Sequence, residues 1–218
     1  MLLALDLAGD VGRLGLARPD GGAAWRITEH RFGGDRGRML VPALDAFLRE
    51  EGVAREMLRG VVVGIGPGSY TGLRIAASAA RALGHALGIP VGGVCGMAAA
   101  GLRAPVGSEV HVLQDAFRGE TYHLSLVRHD DDVVEVVSGP QVLGREEARA
   151  RVGLGQAFLG DPSLAGDGAR MIDDSPHPFA ADLLRFARSR GVGLDGSGFD
   201  ALEAATPLYL RPAAVRRG

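Results

Sequence analysis

The chain has 218 residues, 46% of them hydrophobic and 23% charged, enough to bury the core of one large domain or two small lobes and unlike a disordered polymer. Its 24 basic and 26 acidic residues leave a formal charge of -2, which excludes a broad basic field for nucleic acid or an anionic membrane. Every basic residue counted there is arginine, so Walker-type phosphate loops, pyridoxal Schiff bases, serine–lysine dyads and the kinase ATP-site lysine are all excluded.

The opening "MLLALDLAGD" is apolar until Asp6, too short a run for a signal peptide or a membrane span, and reads as cytoplasmic. Residues 2–7, 11–19 and 22–30 alternate and are separated by turn chemistry, predicting a meander of three short strands. Residues 38–51 place Leu40, Leu44, Phe47 and Leu48 at helical spacing, with Gly52 as the stop and Pro42 tolerable only near the first turn. A short helical piece near 54–58 precedes "GVVVGIG", whose three valines predict a strand buried on both faces, as in a parallel sheet. Thr71 to Leu87 reads as a helix ended by Gly88 and Pro90, and "VGGVCG" as another strand in which Cys95 is a core filler. One cysteine also leaves no internal disulfide and no cysteine-only zinc site, and fits a reducing compartment.

The pattern restarts after residue 105. "EVHVLQDAF" and "GETYHLSLVRH" predict a hairpin turned at Arg118 and Gly119, followed by an acidic turn and the strand "VVEVVSG". "GREEARARVG" predicts a short helix, "QAFLGD" a strand and "FAADLLRFARSRG" an amphipathic helix, with an extended tail from Thr206 whose end is frayed. This is an α/β pattern without a sequence repeat. The order of elements in the first half and the strand-rich second half divide the chain into lobes of residues 1–104 and 105–218.

The glycines between the valine strand and the long helix fail the specific phosphate-binding templates. Both the P-loop and the dinucleotide fingerprint need a glycine where Thr71 stands. A weaker anion site remains open, built from Asp6, Gly66, Pro67, Gly68, Ser69, Thr71, Gly72 and Arg74 around a helix N-terminus. Ser69 and Thr71 can each cap that helix or face a phosphate. Wound at the helical period, the helix shows one stripe of Leu73, Ala76, Ala77, Ala80, Leu83 and Leu87, and a second of Ile75, Ala79, Ala82 and Ala86. One stripe suffices to cover a sheet. The second, of small side chains, suits close approach of another helix, whether residues 38–51 or one from a second chain.

"LALD", "GPGSYTGLR", "DAFRGETY", "GDGA" and "PLYLR", spread over nearly the whole chain, together resemble the TsaB (YeaZ) family. The resemblance implies the two-lobed, actin-like and Hsp70-like ATPase superfamily fold, with mixed sheets flanked by helices. It implies a non-catalytic partner that binds and activates the TsaD transferase for threonylcarbamoylation of the adenosine next to the anticodon in tRNAs. It further implies TsaE, an ATPase, as a third subunit, tRNA contacted only through the complex, and self-pairing through the same helices in isolation. Carried across, the partner interface falls on Met39, Leu40, Ala43, Phe47, Leu73, Ile75, Ala76, Ala79, Ala82 and Ala86. No cofactor is expected on this chain alone, ATP and magnesium being expected in the assembled complex.

Two departures from the resemblance matter. Leu7, Ala8 and Gly9 follow Asp6 where superfamily members carry phosphate-holding hydroxyls, and Arg36 and Gly37 replace a common histidine–serine pair. The competing reading is an enzyme, a small ATPase, phosphotransferase or peptidase. Its available groups are the carboxylates Asp6, Asp10 and Asp115 and the clamps Arg13, Arg74 and Arg118. Asp6 can alternatively cap the Gly9 turn. His111, His123 and His129 would meet at a metal only by folding, and no metal site is expected.

Overall fold

The structure is a computed structural model that describes residues 1–21 and 25–210. Its first sheet is built from β1 (Leu2–Asp6), β2 (Gly12–Pro19), β3 (Trp25–Phe32), β4 (Gly60–Gly66) and β5 (Val91–Cys95) in the order β3-β2-β1-β4-β5. The meander β1–β3 is antiparallel, while β4 and β5 join parallel to β1 after helical crossovers. The start of the expected third strand at residues 22–24 lies outside the described residues.

Helix α1 (Arg36–Glu50) connects β3 to β4, and α2 (Tyr70–Leu87) connects β4 to β5. Strand β4 is buried from end to end, as its valine run demands. Val61 and Val63 join Leu3, Leu5, Leu14 and Leu16 in the core beneath α1 and α2, whereas Val62 points to the opposite face with Leu2, Ala4 and Ala17. That alternation is the two-residue period of a strand sandwiched between layers. Burying each valine contributes about 1.5–3 kcal/mol. Pro42 sits well inside α1 rather than near its first turn; Asp35 caps a helix that starts two residues earlier than expected, accepting from the Gly37 and Arg38 N–H groups. The proline ring is exposed, and the helix runs through it.

The second sheet contains β6 (Glu109–Asp115), β7 (Glu120–Arg128), β8 (Val134–Gly144), β9 (Ala157–Gly160) and β10 (Arg170–Asp173), in the order β8-β7-β6-β9-β10. This is the connectivity of the first sheet again: an antiparallel meander of three, then two parallel additions on the other side. The chain therefore repeats a topology that its residues do not repeat. Strand β8 continues through Gly139 and Pro140, beyond the expected end at Gly139, because register shifts beside Ser125 absorb the interruption. Strand β10 and the short helix α3 (Gly96–Ala100) carry no clear periodic signal and were not anticipated.

Helix α4 (Arg145–Arg151) packs on β7 and β8, and α5 (Ala180–Ser189) packs across β1 and β2 and against α3. Helix α5 thus follows the second sheet in sequence but lies on the first. One continuous cluster joins the two sheets through α3 and α5, with Val110, Val112, Leu124 and Leu126 meeting Val62, Met97, Leu183 and Leu184. Leu126 fills the space above Gly101, where no β-carbon could stand. Leu126→Ala is expected to lower stability by about 3 kcal/mol in urea unfolding, whereas Leu154→Ala, at a side chain 88% exposed, should change it by less than about 0.5 kcal/mol.

Candidate functional site

The glycine loop between β4 and α2 lies directly on the turn that follows β1. A β-carbon at Gly72 would collide with the Leu7 carbonyl oxygen, and one at Gly68 would stand 2.7 Å from both Ala8 Cβ and its carbonyl oxygen. Gly66 takes a left-handed φ of 103° and Leu73 packs on it. Two of the loop's donors are held internally. Ser69 N–H donates to the Ala8 carbonyl at 2.8 Å, and Ser69 Oγ accepts from Gly72 N–H at 3.2 Å. Ser69 is therefore the helix cap, leaving Thr71 exposed in the first turn.

Asp6 is fully buried. Its Oδ1 accepts from Ala8 N–H at 3.0 Å, closing the turn, and Gly64 leaves room for that oxygen. Burial raises its pKa, opposed by the Ala8 hydrogen bond and by Arg13 and Arg36. Arg13 is paired in register with Asp6, and Arg36 reaches the Leu7 carbonyl at 3.1 Å. His177 rests on Gly9, 2.7 Å from where a β-carbon would be. Burial and then Arg13 push its pKa down to about 4, so the ring is neutral near pH 7. Asp6 Oδ2 is buried without a hydrogen-bond partner among the described residues, with Arg13 and Arg36 as its nearest charges.

Behind His177 stands a network that sequence spacing does not reveal. Arg103 donates to Asp173 Oδ1 at 2.8 Å and to the carbonyls of Ser175 and His177, and lies 3.4 Å from Asp182 Oδ2. Its guanidinium and that of Arg31 lie 4.8 and 4.9 Å from the Phe179 ring centroid. Burial raises the Asp182 pKa to about 6 while its Oδ2 accepts from Phe179 N–H. Seventy residues separate Arg103 from Asp173, so no local signal could have found the pair.

The expected interface residues divide sharply. Leu40, Ala43, Phe47, Leu73 and Ala76 are buried in this chain's own core, so they shape the surface from beneath and offer none of it. Ile75 and Ala79 are half-buried against that core. Ala82 and Ala86 are exposed on α2, as are Met39 at 43% and its neighbour Val41 at 68% on α1. The first helical stripe faces the sheet, and the second stays open at its C-terminal half. On the other flank of α2, Arg74 donates to the Tyr209 hydroxyl at 3.0 Å and stacks on Tyr70 at 4.3 Å. The part of the tail beyond residue 210, expected to fray, lies outside the described residues.

Comparison with known proteins places this architecture. A sequence profile of the family described as TsaD, tRNA N6-adenosine threonylcarbamoyltransferase, matches residues 37–149. The Escherichia coli tRNA threonylcarbamoyladenosine biosynthesis protein TsaB is 26% identical over 190 residues, covering 79% of each chain. The solved structure of YeaZ from Pseudomonas aeruginosa superposes with a TM-score of 0.75 at 27% identity, covering 96% of this chain and 99% of that one.

The chain belongs to the TsaB (YeaZ) family.

Its paired mixed sheets flanked by helices are the α/β architecture of YeaZ, with the two-lobed fold of the actin-like and Hsp70-like superfamily. An uncharacterised protein of Mycobacterium leprae is 36% identical over 213 residues, and this chain spans 57% of that relative's length.

In this TsaB-family chain Asp115 and Arg74 have partners of their own. Asp115 Oδ1 accepts from Phe117 N–H and from Arg145, Arg74 is held by tyrosines, and Arg118 is exposed. The histidines also part company: His111 Nδ1 and His123 Nε2 are 3.0 Å apart, while His129 pairs with Glu135. Among the described residues no three His, Cys, Asp or Glu side chains are arranged to hold a metal ion. Among them, too, no helix is long and apolar enough to cross a membrane. Cys95 is buried, and desolvation lifts its thiol to about 11, which removes it as a nucleophile near neutral pH.

Gly72→Ala is expected to cost about 3 kcal/mol of stability, because backbone must move away from the Leu7 carbonyl; chemical denaturation of the variant measures this. Burial, then His111, then Arg151 lower the His123 pKa to about 4. The unfolded chain consequently binds more protons between about pH 6.5 and 4. The His123 contribution is fully present above pH 6.5 and fades as pH falls towards 4. The stability advantage of wild type over His123→Gln should narrow across that window in parallel urea titrations, whatever Asp6 and Asp182 contribute with opposite sign.

Proposed function

We propose that this chain is a non-catalytic subunit that binds and activates a TsaD transferase for threonylcarbamoylation of the adenosine next to the anticodon in tRNAs. A TsaE ATPase joins the pair, tRNA is held by the assembly, and the work is done in the cytoplasm. The observation that carries the reading is the unfinished surface of α2. Ala82 and Ala86 are open on the side of exposed Val41, on a helix whose first stripe already satisfies its own sheet. The Ile75, Ala79, Ala82 and Ala86 stripe is the docking side, with Leu40, Ala43, Phe47, Leu73 and Ala76 holding it in position. In isolation two copies pair through the same face.

The closed loop supports a partner role over an enzyme. Phosphoryl transfer needs backbone donors and electrostatic clamps aimed at a vacant site. Here Ser69 and Gly72 spend their N–H groups internally, and Asp6 faces Arg13 and the His177 segment. We assign no cofactor to this chain alone; ATP and magnesium belong to the complex.

Reconstituted tRNA threonylcarbamoylation with purified transferase and ATPase is expected to require this chain. Ala82→Arg should weaken transferase binding at least tenfold, about 1.4 kcal/mol, while leaving the melting temperature of the isolated chain unchanged. Full modification without the chain, or nucleotide hydrolysis by the chain alone, would transfer the assignment to the enzyme reading.

A further inference from the structure

Residues 203–210 form a strap that is anchored residue by residue. The Glu203 backbone pairs with Gly93 at the edge of the first sheet, and Ala205 is buried. Arg81 of α2 then donates to Thr206 Oγ1 at 2.7 Å. Leu208 N–H donates to the Ile65 carbonyl at 2.8 Å, and its side chain reaches both main cores. Tyr209 closes the run, 4.8 Å from the Tyr70 ring and hydrogen-bonded to Arg74. The strap runs antiparallel to α2 in matched register. The seven residues from Arg81 back to Arg74 rise roughly 10 Å, which is about the span of the three extended residues from Thr206 to Tyr209.

This ordering has a purpose the fold does not require. Fixing each backbone residue costs roughly 1–2 kcal/mol, yet the strap ends in rings that remain uncovered: Tyr70 is 38% exposed and Tyr209 41%. Arg74 lies against the Tyr70 face, so its guanidinium and both rings are held in one arrangement before anything docks. Pre-ordered tyrosine and arginine side chains are what dominates the energetics of protein interfaces. The strap and its stack form an edge on one side of α2, while exposed Val41 of α1 stands on the other, beside Leu83. Between them α2 shows the small exposed side chains of Thr71, Ser78, Ala82 and Ala86, with exposed His85 beside them. A row of small side chains between two edges suits the close approach of a helix, about 10 Å across.

We propose that the strap, with Tyr209 stacked on Tyr70 and Arg74, is the second wall of the docking surface for the transferase partner, and that one transferase helix lies between it and α1. This rests on the docking role assigned to α2 above. The occupant is a transferase helix because the TsaD profile match covers both α1 and α2, so the transferase carries counterparts of these helices to lay against them. The strap adds what the small stripe lacks: large, oriented side chains that fix where along α2 the partner helix stops.

The experiment titrates the full chain with purified TsaD-type transferase from the same organism. Tyr209→Ala should weaken binding at least tenfold, Tyr209→Phe by less than about threefold because the ring is retained, and Ala82→Arg should abolish it. Hydroxyl-radical footprinting of the wild-type complex adds a readout that no folding defect can imitate: Tyr70 and Tyr209 should both become protected on binding. If Tyr209→Ala binds as wild type and the two tyrosines stay labelled while Ala82→Arg fails, the strap is not part of the surface and α2 alone is. If wild type does not bind, the docking role of α2 falls, and this inference with it.

Discussion

The structure depends on one close approach, that of the 66–72 backbone to the carbonyls of Leu7 and Ala8. Only glycine at 68 and 72 permits it, because any β-carbon there would meet backbone. The contact fixes the first turn of α2 and therefore the direction of the whole helix over the sheet. The same contact takes the Ser69 N–H. A single packing event thus fastens the loop to the end of β1 and sets the direction of the helix.

The region in front of Asp6 is closed by charge as much as by bulk. Arg13, Arg36, Arg103, Asp173 and Asp182 converge there from distant parts of the chain, with His177 and Phe179 between them. Buried ionic groups stabilise little in net terms, since desolvation offsets much of the attraction. Their effect here is positional. They hold the 173–179 segment in one place and seat α5 on the back of the first sheet, opposite the helices that face outward.

The residues disclosed this in unequal measure. The valine run of β4, the Gly88 stop of α2 and the hairpin of β6 and β7 were legible because their signals are local and periodic. The two stripes of α2 were legible too, but which α1 residues lie beneath the surface was not, since Leu40 and Met39 are equally apolar in sequence and only packing separates them. The failures follow from range. Strand β10 is four residues long, α3 is five, and the Arg103 network joins positions about seventy residues apart. The family blocks around 207–211 marked the tail as meaningful without saying that Tyr209 folds back onto Arg74.

The twofold use of one strand topology has a consequence for how the halves divide their labour. In the first half the crossovers are full helices of 15 and 18 residues; in the second the corresponding links shrink to a 7-residue helix and one turn at Pro162–Leu164. The later copy keeps its sheet with a thinner outer layer. The earlier copy keeps both long helices, and with them the exposed positions Ala82 and Ala86.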